Sequence, residues 1–258
     1  MTGPSGHWPL DDNRLKGLAG TRFAEVHQLA ETTSTNSVLL EKALEGAPEG
    51  LVVVADHQSA GRGRFDRRWQ APAGKSLLFS VLLRPSHAAL PANRRHLVVA
   101  AVSLAVVDGA RAVAGAELRL KWPNDIVAAD RKLAGVLAEA TADGAVVVGA
   151  GVNVAWAPEG EAATCLDQLA GRPVDRGELL VQSLLALDGL YGLWDVVSRR
   201  YREANATVGR EVTVVLGDDA APLSGKAMAI DEDGRLLVRD RSGRVIEVAA
   251  GDVAHASV

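Results

Sequence analysis

The chain has 258 residues, 48% of them hydrophobic and 23% charged, which suits one large domain or a core domain with a small appendage. A formal net charge of −4 argues against a protein held on nucleic acid by a basic face. The single cysteine, Cys165, excludes an intramolecular disulfide framework and a cysteine-built zinc site.

Residues 1–20 are rich in Gly, Pro, Asp and Asn without periodicity, so they read as a flexible lead-in. Twenty irregular residues cannot supply a helix-turn-helix, and no DNA partner is expected. They carry no signal pattern, and no apolar run approaches the ~20 residues of a membrane span, so the expected location is the cytoplasm, with no membrane partner. From Glu31 to Ser37 a hydroxyl-rich stretch opens a short helix through Leu39, Leu40, Ala43 and Leu44 that stops at Gly46. One hydroxyl suffices for a cap, so Ser34, Thr35 and Asn36 are candidates to face a ligand. The apolar run 51–55 marks a buried strand (50–56), and it feeds the stretch Gln58 to Trp69. Within 61–68 four arginines stand against one aspartate, with two glycines between them. Glycine lets the backbone approach an anion closely, and arginine offers a planar fork to phosphate or carboxylate oxygens. A third glycine would fall at Asp66, so this is no dinucleotide fingerprint, and no Gly-Lys-Ser/Thr makes it a P-loop.

Further on, Ser76 to Leu83 reads as a strand ended by Pro85. Pro91 opens a long apolar helix toward Gly115. Leu118 to Trp122 alternates and halts at Pro123. A hairpin is expected over Ile126 to Thr141, turning at Ala129-Asp130-Arg131, and a turn at Asp143-Gly144 feeds the run 145–154. Consecutive strands with short turns imply antiparallel pairing and a mixed sheet. Helical pattern returns over 162–170, and a longer helix over about 175–203 carries capping-box spacing from Asp175 to Glu178. From Thr207 short strands with turns at 217–219, 231–234 and 241–243 fit a five-strand barrel, which sets a domain boundary near residue 206.

Three polar clusters thus fall at strand ends: residues 34–36, the arginine loop, and Lys121 to Asp125 with Lys132. Only six of the 28 basic residues are lysine, which raises the interest of Lys121 and Lys132. Lysines and arginines converging on a cleft favour a polyphosphate ligand, and Asp125 is then a candidate Mg2+ ligand. No nucleophile with its base is assembled by spacing, and no two histidines stand at metal-ligand spacing.

The blocks Gly61-Arg62-Gly63-Arg64 ending at Trp69, Lys121-Trp122-Pro123-Asn124-Asp125, Arg131-Lys132-Leu133-Ala134-Gly135 and Gly149-Ala150-Gly151-Val152-Asn153, in that order, resemble the motifs of biotin protein ligases. The likeness runs from about residue 30 to 258. It implies an α+β fold: a class II aminoacyl-tRNA synthetase-like catalytic domain with a mixed sheet and flanking helices over 21–206, plus an SH3-like barrel over 207–258. It implies ATP and biotin as substrates, Mg2+, and biotinyl-5′-AMP passed to a lysine of a biotin carboxyl carrier domain of acetyl-CoA or a related acyl-CoA carboxylase.

Residue by residue, the resemblance assigns Ser34, Thr35, Asn36, Gln58, Gly61, Arg62, Lys132 and Gly135 to biotin. Gly63, Arg64, Arg67, Trp69, Lys121, Asn124, Asp125 and Asn153 fall to the nucleotide or adenylate, Asp125 also to the metal. The catalytic charges are Lys132, Arg62 and Arg64. Phe65-Asp66 occupies loop positions where the family varies. A loop that orders on ligand binding and a monomer or weak homodimer are expected. A lipoate-type ligase on the same fold and a biotin-responsive repressor are the alternatives. The first lacks its arginine-arginine loop and glycine triplet here, and the second needs a preceding helix-turn-helix.

Overall fold

A computed structural model describes residues 10–65, 67–160, 162–215 and 221–255. In chain order its first unit contains α1 (Asp12–Leu15), β1 (Val26–Thr32), α2 (Thr35–Leu44), β2 (Val52–Gln58), β3 (Ser76–Leu83), α3 (His96–Ala114), β4 (Arg119–Lys121), β5 (Asp125–Ala128), β6 (Arg131–Ala140) and β7 (Val146–Asn153). Then follow α4 (Leu166–Ala170), α5 (Arg176–Leu190) and α6 (Trp194–Ala204). The second unit holds β8 (Glu211–Val215), β9 (Leu223–Ile230), β10 (Leu236–Asp240), β11 (Val245–Val248) and β12 (Asp252–His255).

The seven strands of the first unit form one mixed sheet in the order β1-β2-β3-β7-β6-β5-β4. Only β1 and β2 pair in parallel, through a crossover containing α2, and every other pairing is antiparallel. Side chains alternate across a strand, so each apolar run supplies two cores. Val52, Val54, Phe79, Val81, Val148 and Val152 join α3 and α5 in the main core. Val53, Leu82 and Val147 face the other way, against Leu39 and Ala43 of α2. Glycine replaces the large side chain at 149 and 151, on the same face of β7 as Val147, and that opens room for polar residues beside α2.

The hairpin β5–β6 turns at Ala129 and Asp130, both at positive φ, as the Ala-Asp-Arg reading required. Asp175 caps α5 by accepting from the Glu178 N–H. Four expectations need correction. Residues 10–18 are ordered rather than a flexible lead-in: Leu10 and Leu18 are buried, and Gln28 of β1 accepts the Leu10 N–H. The helical reading of 162–170 shrinks to α4, because Lys132 and the 162–164 segment exchange backbone hydrogen bonds. The long helix over 175–203 is two, broken where Gly192 takes φ +92° between α5 and α6. Finally, Ala92–Ala114 is a 23-residue helical stretch of mean hydropathy 1.9, long and apolar enough for a span, yet 67% of that window is buried inside the protein. It is the core helix of the first unit. Residues 1–9, Asp66 and the turn at 217–219 lie outside the described residues.

The second unit is an all-antiparallel sheet, β11-β10-β9-β8-β12, whose buried Val212, Val214, Leu236 and Val238 merge into the main core. Trp122, 1% exposed, is the joint: its N–H reaches Thr207 Oγ1 at 3.0 Å and its Nε1 reaches the Gly234 carbonyl at 2.9 Å.

Close approach of α3 and α5 rests on Gly109, where an added Cβ would lie 2.4 Å from Ser183 Oγ and 2.8 Å from its backbone nitrogen. Overpacking costs about 1–3 kcal/mol and outweighs the ~1 kcal/mol that Ala gains over Gly in a helix. Gly109→Ala should therefore lower the denaturant-unfolding free energy. Gly189→Ala, in open space on α5, should raise it by about 0.5–1 kcal/mol.

Candidate active site

A cavity of about 520 Å³ opens on the α2 face of the sheet. The N-terminus of α2 contributes Ser34, Thr35 and Asn36, all nearly inaccessible. Ser34 stands at the N-cap but makes no side-chain capping bond; the Thr35 N–H is satisfied instead by Gln58 Oε1 at 2.7 Å. The hydroxyl cluster is therefore tied to the end of β2 as well as to its own helix. Asn36 lines the cavity, but its amide donates to Glu139 Oε2 at 2.8 Å and its Oδ1 lies 2.6 Å from Ser80 Oγ. Both ends of its amide are thereby engaged within the protein.

The arginine loop is a small hairpin. Trp69 N–H donates to the Gly61 carbonyl at 2.9 Å, Gly63 N–H to the Arg67 carbonyl at 2.7 Å, and Arg62 bridges Arg68. Gly61 is obligatory because a Cβ there would sit 2.4 Å from the Trp69 carbonyl oxygen. The strand-like crossing of its own hairpin, and not an anion, explains that glycine, and Gly61 alone of the expected site residues does not line the cavity. Phe65, at φ +53° and half exposed, carries the Arg64 guanidinium 4.8 Å above its ring.

At the far wall β6 brings Lys132 and Gly135, and the β4–β5 turn brings Lys121, Asn124 and Asp125. Lys132 Nζ lies 2.8 Å from Asp125 Oδ1 and 5.7 Å from the centre of the Trp69 ring. That ring lies flat against two bare positions: a Cβ at Gly151 would meet it at 2.5 Å and one at Gly135 at 3.3 Å. Asn124 donates to the Val136 carbonyl at 2.8 Å, and buried Asn153 to the Thr164 carbonyl at 3.1 Å. Asp125 is the sole member of the expected metal set. Its Oδ1 is engaged by Lys132, and the described residues hold no group of three or more His, Cys, Asp or Glu that could cage a metal.

Electrostatics concentrate positive charge here. Burial pushes the Arg64 guanidinium down from its usual value, and the carboxylates of Asp252 and Asp125 partly offset this. Arg64 donates to the Gly251 carbonyl at 3.1 Å, and Arg67 is paired with the Asp252 carboxylate. Asp252 and Val253 line the cavity, so the second unit closes it. No motif signalled these two, nor Ser80 and Glu139. Trp156, Gln70 and Pro158 also line the site; in a chain with 4% aromatics Trp156 was the one with a compositional signal.

An α+β unit joined to a small antiparallel sheet, with a glycine-bearing arginine loop folded over a lysine on the sheet, defines a protein of the biotin and lipoate ligase class. Residues 29–154 match the biotin/lipoate A/B protein ligase family, and residues 207–256 match the biotin protein ligase C terminal domain. The chain is 38% identical to the biotin–[acetyl-CoA-carboxylase] ligase of Mycobacterium tuberculosis, with 96% of each chain covered. It is 35% identical to that of Paracoccus denitrificans, over 86% of this chain and 97% of the relative. The structure of the Aquifex aeolicus biotin protein ligase in complex with biotin and ATP superposes with a TM-score of 0.76 at 27% identity, over 91% of this chain and 99% of that one. The chain belongs to the biotin protein ligase family.

His255 seals the joint behind Lys121. Arg210 only donates, so His255 Nδ1, 3.2 Å from Arg210 Nη1, accepts and the proton sits on Nε2, 3.1 Å from Thr207 Oγ1. Burial pushes this imidazole below its ordinary value; Lys121 and Arg210 push the same way, and Asp130, 3.7 Å away, opposes them. A depressed folded value means that the contribution is complete above the ordinary histidine pKa of ~6.5 and is lost as pH falls through the folded value. Denaturant unfolding at about pH 7.5 and about pH 5.5 should therefore reveal a larger acid loss of stability in the wild type than in His255→Gln.

Proposed function

We propose that this protein joins biotin to ATP as biotinyl-5′-AMP with release of pyrophosphate, then passes biotin to one lysine of a biotin carboxyl carrier domain. The acceptor is a domain of acetyl-CoA carboxylase or a related acyl-CoA carboxylase in the cytoplasm. The observation that carries this reading is the meeting of Lys132, Asp125, Trp69 and the arginine loop in one cavity, in a chain of this family.

In the first step a biotin carboxylate oxygen forms a bond to the α-phosphorus while the bond from that phosphorus to the pyrophosphate oxygen breaks. The attack needs no protein nucleophile; it needs two anions held in line and their repulsion neutralised. Lys132 is suited to both, because Asp125 aims its ammonium and the Trp69 ring stands beside it. Arg64 and Arg67 serve the phosphates. Their present partners, a backbone carbonyl and the Asp252 carboxylate, are acceptors of the kind that phosphate oxygens replace. A Mg2+ ion would be held mainly by phosphate oxygens, with Asp125 as the protein carboxylate to join them, and would neutralise phosphate charge. Ser34, Thr35 and Gln58 hold the ureido ring, and Lys121, Asn124 and Asn153 border the nucleotide. In the second step the neutral acceptor amine forms a C–N bond to the acyl carbon, the C–O bond to AMP breaks, and the amine's proton is released to solvent.

Incubation of the protein with biotin, ATP, magnesium and a carrier domain should raise the carrier's mass by one biotinyl group; an unchanged mass would reject the proposal. Lys132→Ala should slow biotin-dependent pyrophosphate exchange about 10²–10³-fold, the cost of one preorganised electrostatic donor (about 3–4 kcal/mol). Gly151→Ala pushes on the Trp69 ring. It should weaken retention of biotinyl-5′-AMP about tenfold, the scale of one aromatic contact, as read from the dissociation rate.

A further inference from the structure

Beneath the cavity a chain of polar side chains leaves the arginine loop and returns to it. Gln58 Oε1 accepts from Thr35; Thr35 Oγ1 lies 2.7 Å from Ser80 Oγ; Ser80 Oγ lies 2.6 Å from Asn36 Oδ1. Asn36 Nδ2 then donates to Glu139 Oε2 at 2.8 Å, and Arg62 Nη2 donates to the same oxygen at 2.8 Å. Ser80 is fully buried on β3 and Glu139 is three-quarters buried on β6, and neither lines the cavity.

The orientation of the Asn36 amide follows from the carboxylate that it shares with Arg62. A carboxylate only accepts, so Asn36 must turn its NH2 toward Glu139 and its Oδ1 toward Ser80. A Cβ at Gly149 would lie 2.2 Å from that Oδ1, so the amide is confined in place. Ser80 has a single hydroxyl hydrogen, and a contact of 2.6 Å to a carbonyl oxygen claims it. The Thr35 Oγ1 faces that hydroxyl at 2.7 Å and turns its own hydrogen to Gln58 Oε1 at 3.1 Å. Gln58 Oε1 also accepts the Thr35 N–H at 2.7 Å. What remains for a ligand is a Thr35 oxygen that accepts and a Gln58 Nε2 that donates, the latter without an acceptor among the described residues. This pair complements an N–H beside a carbonyl, as in a cyclic urea.

We propose that Glu139, through Asn36 and Ser80, sets the hydrogen-bond polarity of the pocket floor and so acts as a positioning residue for recognition of the ureido ring. The inference rests on the biotin reading and adds two residues that touch no ligand.

The test is calorimetric binding of three probes: biotin, desthiobiotin, which keeps the urea, and 2-iminobiotin, which puts an N–H donor where the urea has its oxygen. Glu139→Leu removes the acceptor, whereas Glu139→Gln keeps one. Glu139→Leu should weaken biotin and desthiobiotin alike by about tenfold or more, the loss tied to a hydrogen bond with a charged group. It should weaken 2-iminobiotin far less, so that discrimination falls. Glu139→Gln should stay within about threefold of wild type, because a neutral acceptor oxygen still orients Asn36. Ser80→Ala breaks the relay without touching Glu139 and should copy Glu139→Leu; the double variant should be no worse than either single one. If Glu139→Leu does not fold, as judged by its thermal melt, the Ser80→Ala and Glu139→Gln pair decides. Unchanged biotin affinity, equal loss for all three probes, no rescue by Glu139→Gln, or additive losses would each overturn the inference. A wild-type protein that binds none of the probes would overturn the biotin reading itself.

Discussion

The ammonium of Lys132, held 2.8 Å from the Asp125 carboxylate beneath the Trp69 ring, is the contact on which the rest of the site is arranged. A lysine at a sheet surface would ordinarily extend into water, where its charge is worth little to a ligand. Here the hairpin turn at Ala129-Asp130 brings β6 back beside β5, and a register shift between Ile126 and Val127 pairs residue 132 with Val127, on the strand that begins at Asp125. Its backbone is fixed on the other side by Ala162 and Thr164. The charge is thereby pinned at both ends before any anion arrives, and its field acts without reorganisation.

The glycines serve this arrangement by subtraction. Positions 135, 149 and 151 lie on the α2 face of neighbouring strands, where a side chain would strike Trp69 or Asn36. Removing three Cβ atoms creates a slot for an indole and an amide within an otherwise close-packed sheet, where even small volume changes are felt. Val148, Ala150 and Val152, which alternate with the β7 glycines, keep the opposite face of β7 in the main core. One strand thus does two jobs, with its side-chain period of two dividing stability from binding.

The second unit is part of the site rather than a passive attachment. Its Gly251 carbonyl and Asp252 carboxylate hold the loop arginines, while Thr207 and Gly234 hold Trp122 from behind. Individually, exposed ion pairs such as Arg67 with Asp252 contribute little to stability. Their value is geometric, since they fix cations that would otherwise scatter through many rotamers.

Much was legible in the chain itself. The apolar runs of β2, β3 and β7, the Asp175 cap, the Ala-Asp-Arg turn and the basic Gly61 to Trp69 stretch all follow from short-range chemistry, in which each residue's preference is set by its near neighbours. The break between α5 and α6 and the folding of residues 10–18 were not, because a glycine inside a helical pattern and a short polar segment are decided by what they pack on. Nor were Ser80, Glu139 and Asp252. A serine on a strand, a glutamate near a turn and an aspartate near the end of the chain carry no local mark. Tertiary structure alone gave them meaning, by bringing carboxylates and a single hydroxyl hydrogen within 3 Å of partners 44, 103 and 185 residues away. Hydrogen bonds depend on distance and direction in space, and sequence separation enters neither.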